Sequence, residues 1–255
     1  MTKTDPSGLL IVNADDWGLD ATTTDAIVDC YAAGRITSTT AMVFMADSRR
    51  AAMRACELGL PVGLHLNLSE PFTGDGVPEP ALTRQRQLVS RFGDRRRRLR
   101  RWLPAPWLGA AIERCVVDQL EEFEALYGRP PTHVDGHKHV HVSPTVARTP
   151  ALSGFMLRRA FSDPPGARSP AALARRVRHR AVLQRPAGTD SFLPIWPMRH
   201  DLLLGREPAE LRARPGEAVE VMAHPGLARE RSLLLTDAWA RVLSAARLGS
   251  YEDLR

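Results

Sequence analysis

Apolar runs short enough for strands alternate along this chain with segments whose apolar positions recur every three or four residues. Leu9-Leu10-Ile11-Val12 is an unbroken apolar run ending at Asn13, the pattern of a strand covered on both faces, as in a parallel sheet. Thr22-Thr23-Thr24-Asp25 ahead of Ala26-Ile27-Val28 reads as a helix start of capping-box type, with a stop expected near Gly34. A second strand is expected over Thr37–Phe44 and a helix over Ser48–Leu58, with Gly59 as its stop. A third strand is expected over Val62–Leu68. This alternation predicts an α/β fold with parallel strands, in which reactive groups gather at the carboxyl ends of the strands.

The remainder is less regular. Ser69–Gly76 is a loop by its Gly, Pro and acidic content. Residues 79–107 read as an insertion or lid, and residues 163–190 as a long, partly helical excursion. Ala110–Leu126 is an amphipathic helix with Ile112, Cys115, Val116, Leu120, Phe123 and Leu126 on one face. Short strands are expected over Thr132–Asp135, Phe155–Leu157 and Glu217–Met222, and a closing helix over Leu233–Leu248. With no internal repeat or linker, residues 1–255 are expected to form a single domain.

Composition narrows the class. At 44% hydrophobic and 25% charged, the chain has enough apolar content for a packed core. No apolar stretch approaches the roughly 18–20 residues of a membrane span, and the first residues are polar, so a soluble, cytoplasmic protein with no membrane partner is expected. Cys30, Cys56 and Cys115 are widely spaced and form no CxxC pair, which predicts buried free thiols. Much of the net charge of +6 comes from Arg-rich stretches at Arg95–Arg101 and Arg175–Arg185. They carry no interleaved aromatics, so solvated surface is expected rather than a nucleic-acid site.

The candidate chemistry lies in Asn13-Ala14-Asp15-Asp16-Trp17-Gly18, where a buried strand ends in two adjacent carboxylates. Alternation along a strand points them in different directions. One can hold a metal while the other takes a proton. Gly63-Leu64-His65-Leu66-Asn67-Leu68 and Thr132-His133-Val134-Asp135-Gly136-His137-Lys138-His139-Val140-His141 supply histidines. A catalytic divalent metal commonly takes two His and one carboxylate and keeps a position for water. Asp16, His65 and His137 fit that set. Taken alone, Asp16 could cap a helix and His65 could be a core residue. The four alternating histidines at 133, 137, 139 and 141 would share one face if extended, which is costly without metal or polar partners.

These segments occur in a familiar order, together with Thr37-Ser38-Thr39-Thr40, Glu220-Val221-Met222-Ala223-His224-Pro225 and Leu248-Gly249-Ser250-Tyr251-Glu252-Asp253-Leu254. The combination resembles the YdjC-like carbohydrate deacetylases, the group containing chitooligosaccharide and hopanoid-associated deacetylases. The resemblance spans nearly the whole chain except about 79–107 and 163–190. It implies a (β/α)-barrel-like fold, often distorted or incomplete, and a divalent metal, magnesium for much of the family. It implies Asp16, His65 and His137 as metal ligands, Asp15 as general base and His224 as general acid. Trp17 stands where Phe is usual and is read as an aromatic wall. His139 and His141 are expected to line the sugar subsite, and Arg158 to hold Asp15 or the substrate.

The expected activity is removal of an N-acetyl group from an amino sugar by attack of a metal-activated water. The partner is then a small N-acetylated sugar or glycoconjugate, and a homodimer is compatible with the sequence. Two imidazoles favour Zn2+ or another transition metal on ligand grounds, whereas the resemblance points to Mg2+. One rival is a metal-dependent hydrolase of a non-sugar amide or phosphoester, which would lack sugar-stacking aromatics; Trp17, Phe72, Trp102, Trp107 and Trp196 are the available ones. The other is a non-catalytic binding protein using the basic segments, against which the intact set Asp15, Asp16, His65, His137 and His224 argues.

Overall fold

A computed structural model describes residues 8–93, 103–159, 188–208, 211 and 213–254. Both Arg-rich runs, and most of 163–190, lie outside the described residues. Strand β1 (Leu9–Trp17) is followed by helix α1 (Ala21–Ala32), β2 (Ser38–Ala41), α2 (Ser48–Leu58) and β3 (Val62–Leu66). Helices α3 (Glu79–Phe92) and α4 (Gly109–Tyr127) then precede β4 (Val134–Gly136). Later strands are β5 (Ser191–Pro194), β6 (Ala218–Ala223) and β7 (Arg247–Gly249).

All strands pair in parallel, in the order β4-β3-β2-β1-β6-β5, with β7 on the amino-terminal part of β1. Leu157 adds a parallel bridge to Val134 beyond β4. The result is a curled, (β/α)-barrel-like sheet that, among the described residues, stays open between Leu157 and β5. The apolar run opening β1 is buried throughout, because β6 and β7 cover its edges and helices its faces. Helix α4 buries Ile112, Cys115, Val116 and Phe123, the stripe its spacing predicts. Gly59 ends α2 in the left-handed conformation, as its position implies.

Several expectations are corrected. Helix α1 is capped by Asp20, whose side chain accepts from Thr23 N (2.7 Å), not by the following threonines. Part of the segment expected as an insertion or lid is the regular helix α3. Its Ala81, Gln85, Leu88 and Phe92 recur at helical spacing and are buried, and Arg84 pairs with Asp118 of α4. Its three arginines stand among the apolar positions and hide that stripe in the sequence. The expected closing helix is two helices, Ala228–Leu234 and Asp237–Ser244, because Thr236 Oγ1 accepts from Trp239 N (3.2 Å) and starts the chain afresh; β7 then takes Arg247–Gly249. Strand β5 was not foreseen.

Gly63 in β3 shows how tightly the sheet interior is filled. A Cβ there would stand 2.5 Å from Cε1 and Nδ1 of the His133 ring, which is fully buried and stacked on Tyr251. Gly63→Ala is expected to destabilise the protein by about 1–3 kcal/mol through overpacking, read as a lowered denaturant midpoint at unchanged m-value.

Candidate active site

The reactive side chains converge at the carboxyl ends of four parallel strands. Simple alternation would send Asp15 and Asp16 to opposite faces of the sheet. Instead the β1–β2 register shifts between Ala14 and Trp17, and Asp16 adopts a left-handed backbone (φ 72°). That conformation is unusual for a non-glycine residue and is most tolerated by Asp and Asn. It turns the second carboxylate back towards the same pocket, so that both aspartates meet one imidazole from opposite ends. Asp16 Oδ1 is 3.3 Å from His65 Nε2, and Asp15 Oδ2 is 3.9 Å from His65 Nδ1.

His137 follows β4 directly and brings Nδ1 to 3.0 Å from the same Asp16 Oδ1. One donor atom each of Asp16, His65 and His137 lies within 4.8 Å of the others. Atoms bound to one ion at about 2.1 Å sit about 3.0–3.4 Å apart, so these separations fit a shared cation. The surrounding charge fits it too. Asp15, Asp135 and Glu220 are buried around the guanidinium of Arg158, and the partly buried Asp16 lies on the far side of His65, so carboxylates crowd the site and a dication would help offset them. Burial opposes the charge on His65, yet Asp135 and Asp15 hold its pKa well above the ordinary imidazole range. Burial likewise opposes the Asp16 anion, but its bonds from His137 and His65 keep its pKa well below the usual carboxylate range.

The supporting shell is dense. His65 and Asp135 are register partners in β3 and β4, and His65 Nδ1 donates to Asp135 Oδ1 at 2.6 Å, which turns Nε2 towards Asp16. Thr40 Oγ1 donates to Asp135 Oδ2 (3.0 Å), and Asn13 Nδ2 donates to Thr40 Oγ1 and Asp15 Oδ1 (3.1 Å each). Ser38 Oγ donates to Asn13 Oδ1 (2.8 Å). Arg158 grips both Asp15 oxygens at 2.7 Å and also pairs with Asp135. Although burial works against the Asp15 anion, Arg158 and His65 hold its pKa far below the usual range. Opposite Asp15 Oδ2, at 3.9 Å, stands Nε2 of His224, just past β6. The buried Glu230 accepts from His224 N (2.8 Å) and lies 3.3 Å from Nδ1. Burial disfavours a charged His224, but Glu230 and Asp15 together raise its pKa to about 9.

The structure thus brings Asp15, Asp16, His65, His137 and His224 into one pocket, and separates the other expected contacts. Trp17 is fully buried in the core and is no pocket wall. The histidine run does not extend: after His137 it winds into a 3-10 turn with Lys138 and His139 left-handed, so the four rings do not share one face, although His139 and His141 still meet edge to face. His133 is a core residue, His141 is fully buried and cannot touch a sugar, and His139 is half-buried against Phe192. Arg158, with no exposure, holds Asp15, the first of the two roles expected for it, and does not line the pocket for a substrate. Of the other aromatics, Phe72 packs on Phe44, Trp102 lies outside the described residues, and Trp107 is exposed. Trp196, just past β5, lies half-buried under the guanidiniums of Arg199 and Arg229. Sequence reasoning passed over Asp135, Thr40 and Glu230. Asp135 carried a signal, two residues before His137 in a short strand.

A family model described as YdjC-like protein matches residues 9–251. The chain is 33% identical to a chitooligosaccharide deacetylase of Serratia marcescens over 230 residues, 85% of this chain and 81% of that one. It is 37% identical to a chitooligosaccharide deacetylase of Yersinia pestis (strain Pestoides F) over 149 residues, 54% of this chain and 52% of that one. Its fold is similar to a crystal structure from Enterococcus faecalis V583, a candidate cellobiose-phosphate cleavage protein, with a TM-score of 0.66 at 20% identity over 97% of this chain and 99% of that one.

The His65–Asp135 bond generates a direct prediction. Asp135→Asn is expected to weaken divalent-metal binding by roughly 10- to 100-fold, measured by calorimetric titration of the metal-stripped protein, with secondary structure preserved by circular dichroism.

Proposed function

This chain belongs to the YdjC-like protein family, and from that membership and the pocket geometry we propose that it is a metal-dependent carbohydrate N-deacetylase, the activity for which its Serratia marcescens relative is named. The observation that carries the reading is the convergence of three metal-donor atoms beside a facing carboxylate and imidazole. Asp16 Oδ1, His65 Nε2 and His137 Nδ1 would hold the cation. When bound, a divalent ion lowers the pKa of water and polarises the acetamide carbonyl.

The chain's own groups move the protons. Asp15 takes one from the attacking water through Oδ2, the oxygen that looks towards His224. Asn13 and Arg158 keep that carboxylate ionised and fixed. Such a low pKa makes it a weak base, so the role suits it only for an already acidified water. His224, protonated at neutral pH by Glu230 and Asp15, gives its Nε2 proton to the leaving nitrogen, without which an amine departs poorly. Water adds to the carbonyl carbon, the carbon–nitrogen bond breaks, and acetate and a free amine leave.

Two imidazoles and one carboxylate favour Zn2+ or a similar transition metal over Mg2+, and Zn2+ is the ion expected to bind more tightly in a direct titration. No helix among the described residues is long and apolar enough to cross a membrane.

Acetate release from a panel of N-acetylated sugars, N,N′-diacetylchitobiose among them, with metal and with chelator, tests the reading. Metal-dependent acetate release is expected. Release from no member of the panel, alongside hydrolysis of a phosphoester, would overturn it. Asp16→Asn is expected to lose the metal, whereas Asp15→Asn keeps the metal and loses about 10²–10⁴-fold in kcat. Because His224 must carry its proton, activity falls as pH rises through about 9. Glu230→Gln removes an anion that favours the imidazolium, so this alkaline limb moves to lower pH.

A further inference from the structure

A second layer of charge lies behind the groups that the proposed reaction uses. Arg158 Nε donates to Glu220 Oε1 at 2.7 Å, and the Tyr251 hydroxyl donates to Glu220 Oε2 at 2.5 Å. The Tyr251 ring lies flat on His133, centroids 3.5 Å apart and planes 4° from parallel. Arg158, Glu220, Tyr251 and His133 are all fully buried. Glu220 sits in the middle of β6 between Val219 and Val221, where an apolar residue would satisfy the sheet. A carboxylate there is costly unless it is paired, and nothing in strand packing calls for it.

Its geometry does have a use. A guanidinium is a rigid planar fork, so fixing the Nε–H direction fixes the plane in which the two Nη atoms point. Those two atoms hold both oxygens of Asp15. We propose that Glu220 and Tyr251 are positioning residues for the deacetylation: they set the plane of Arg158 and, through it, the orientation of Asp15. This rests on the reading of Asp15 as the base.

The electrostatics agree. Burial pushes the Glu220 pKa up to about 7, while Arg158 and the Tyr251 hydroxyl favour the anion, and Asp135 and Asp15 oppose it. These are the strongest influences on Glu220 among the described residues. His133 stands behind Tyr251 and stays neutral, burial lowering its pKa. The Tyr251 hydrogen bond therefore helps keep Glu220 ionised near neutral pH, the state that grips Nε.

Tyr251→Phe keeps the ring over His133 and deletes only the hydroxyl. It is expected to lower kcat at neutral pH by roughly 10- to 100-fold, the cost of a misaligned reacting group, with KM unchanged. The acid limb of its pH profile should move to higher pH, since Glu220 loses a donor. Glu220→Gln should lower kcat similarly but remove the Glu220-dependent limb. Both should bind Zn2+ within a few-fold of wild type. The Arg158 Nε–H signal in 15N–1H NMR, downfield and slowly exchanging in the wild type, should broaden or move upfield in both. Unchanged kcat and an unchanged Arg158 signal overturn the proposal, as does loss of Zn2+ binding as the main effect. If Glu220→Gln does not fold, Tyr251→Phe carries the test. If the wild type releases no acetate, the deacetylase reading fails, and the NMR signal still decides the positioning role.

Discussion

The rest of this structure turns on one buried guanidinium. Arg158 has no contact with solvent and meets Asp15, Asp135 and Glu220. Each of those carboxylates would be untenable alone in the core. Together they are held by a single fork that has a fixed direction for each. Asp135 in turn orients His65, so the same residue that fixes the proposed base also reaches, one bond later, an imidazole proposed to hold the metal. Removing any member leaves a buried charge uncompensated, which explains why so polar a cluster is packed with so little slack.

The backbone solves a separate problem. A strand presents alternate residues to opposite faces, yet this pocket needs two consecutive aspartates. The register shift in β1 and the left-handed Asp16 supply both from one strand end. Strain of about 1–3 kcal/mol in such a residue is tolerated because β2 and β6 hold the strand on both sides. The hydroxyl run of β2 then lines the floor, Ser38 steadying Asn13 and Thr40 steadying Asp135.

The sequence made the central residues legible where each one closed an apolar strand. Asp16, His65 and His137 stand out because strands of a parallel sheet must end on the same side, whatever their separation along the chain. The histidine run misled because alternation was read as extension, while the chain turns left-handed at Lys138 and His139. Trp17 misled because an aromatic beside reactive groups can equally be core, and burial is a property of neighbours not yet placed. Glu220 was within sight: a lone carboxylate inside Ala-Val-Glu-Val-Met-Ala demands a buried cation. Which cation becomes visible only when Arg158, sixty-two positions away, is set beside it. Helix α3 was hidden by arginines standing among its apolar positions, one of which, Arg84, turns in to Asp118 of α4.

Strand β1 lies in the middle of the sheet, and its neighbours come from both ends of the chain: β2 soon after it, β6 and β7 some two hundred residues later. Contacts of such long range are entropically slow to close. During synthesis one edge of β1 therefore waits unpaired until the residues of β6 and β7, some two hundred positions on, have emerged. An edge left open at the heart of the sheet is the kinetic counterpart of a pocket assembled from residues as distant as Asp15 and His224.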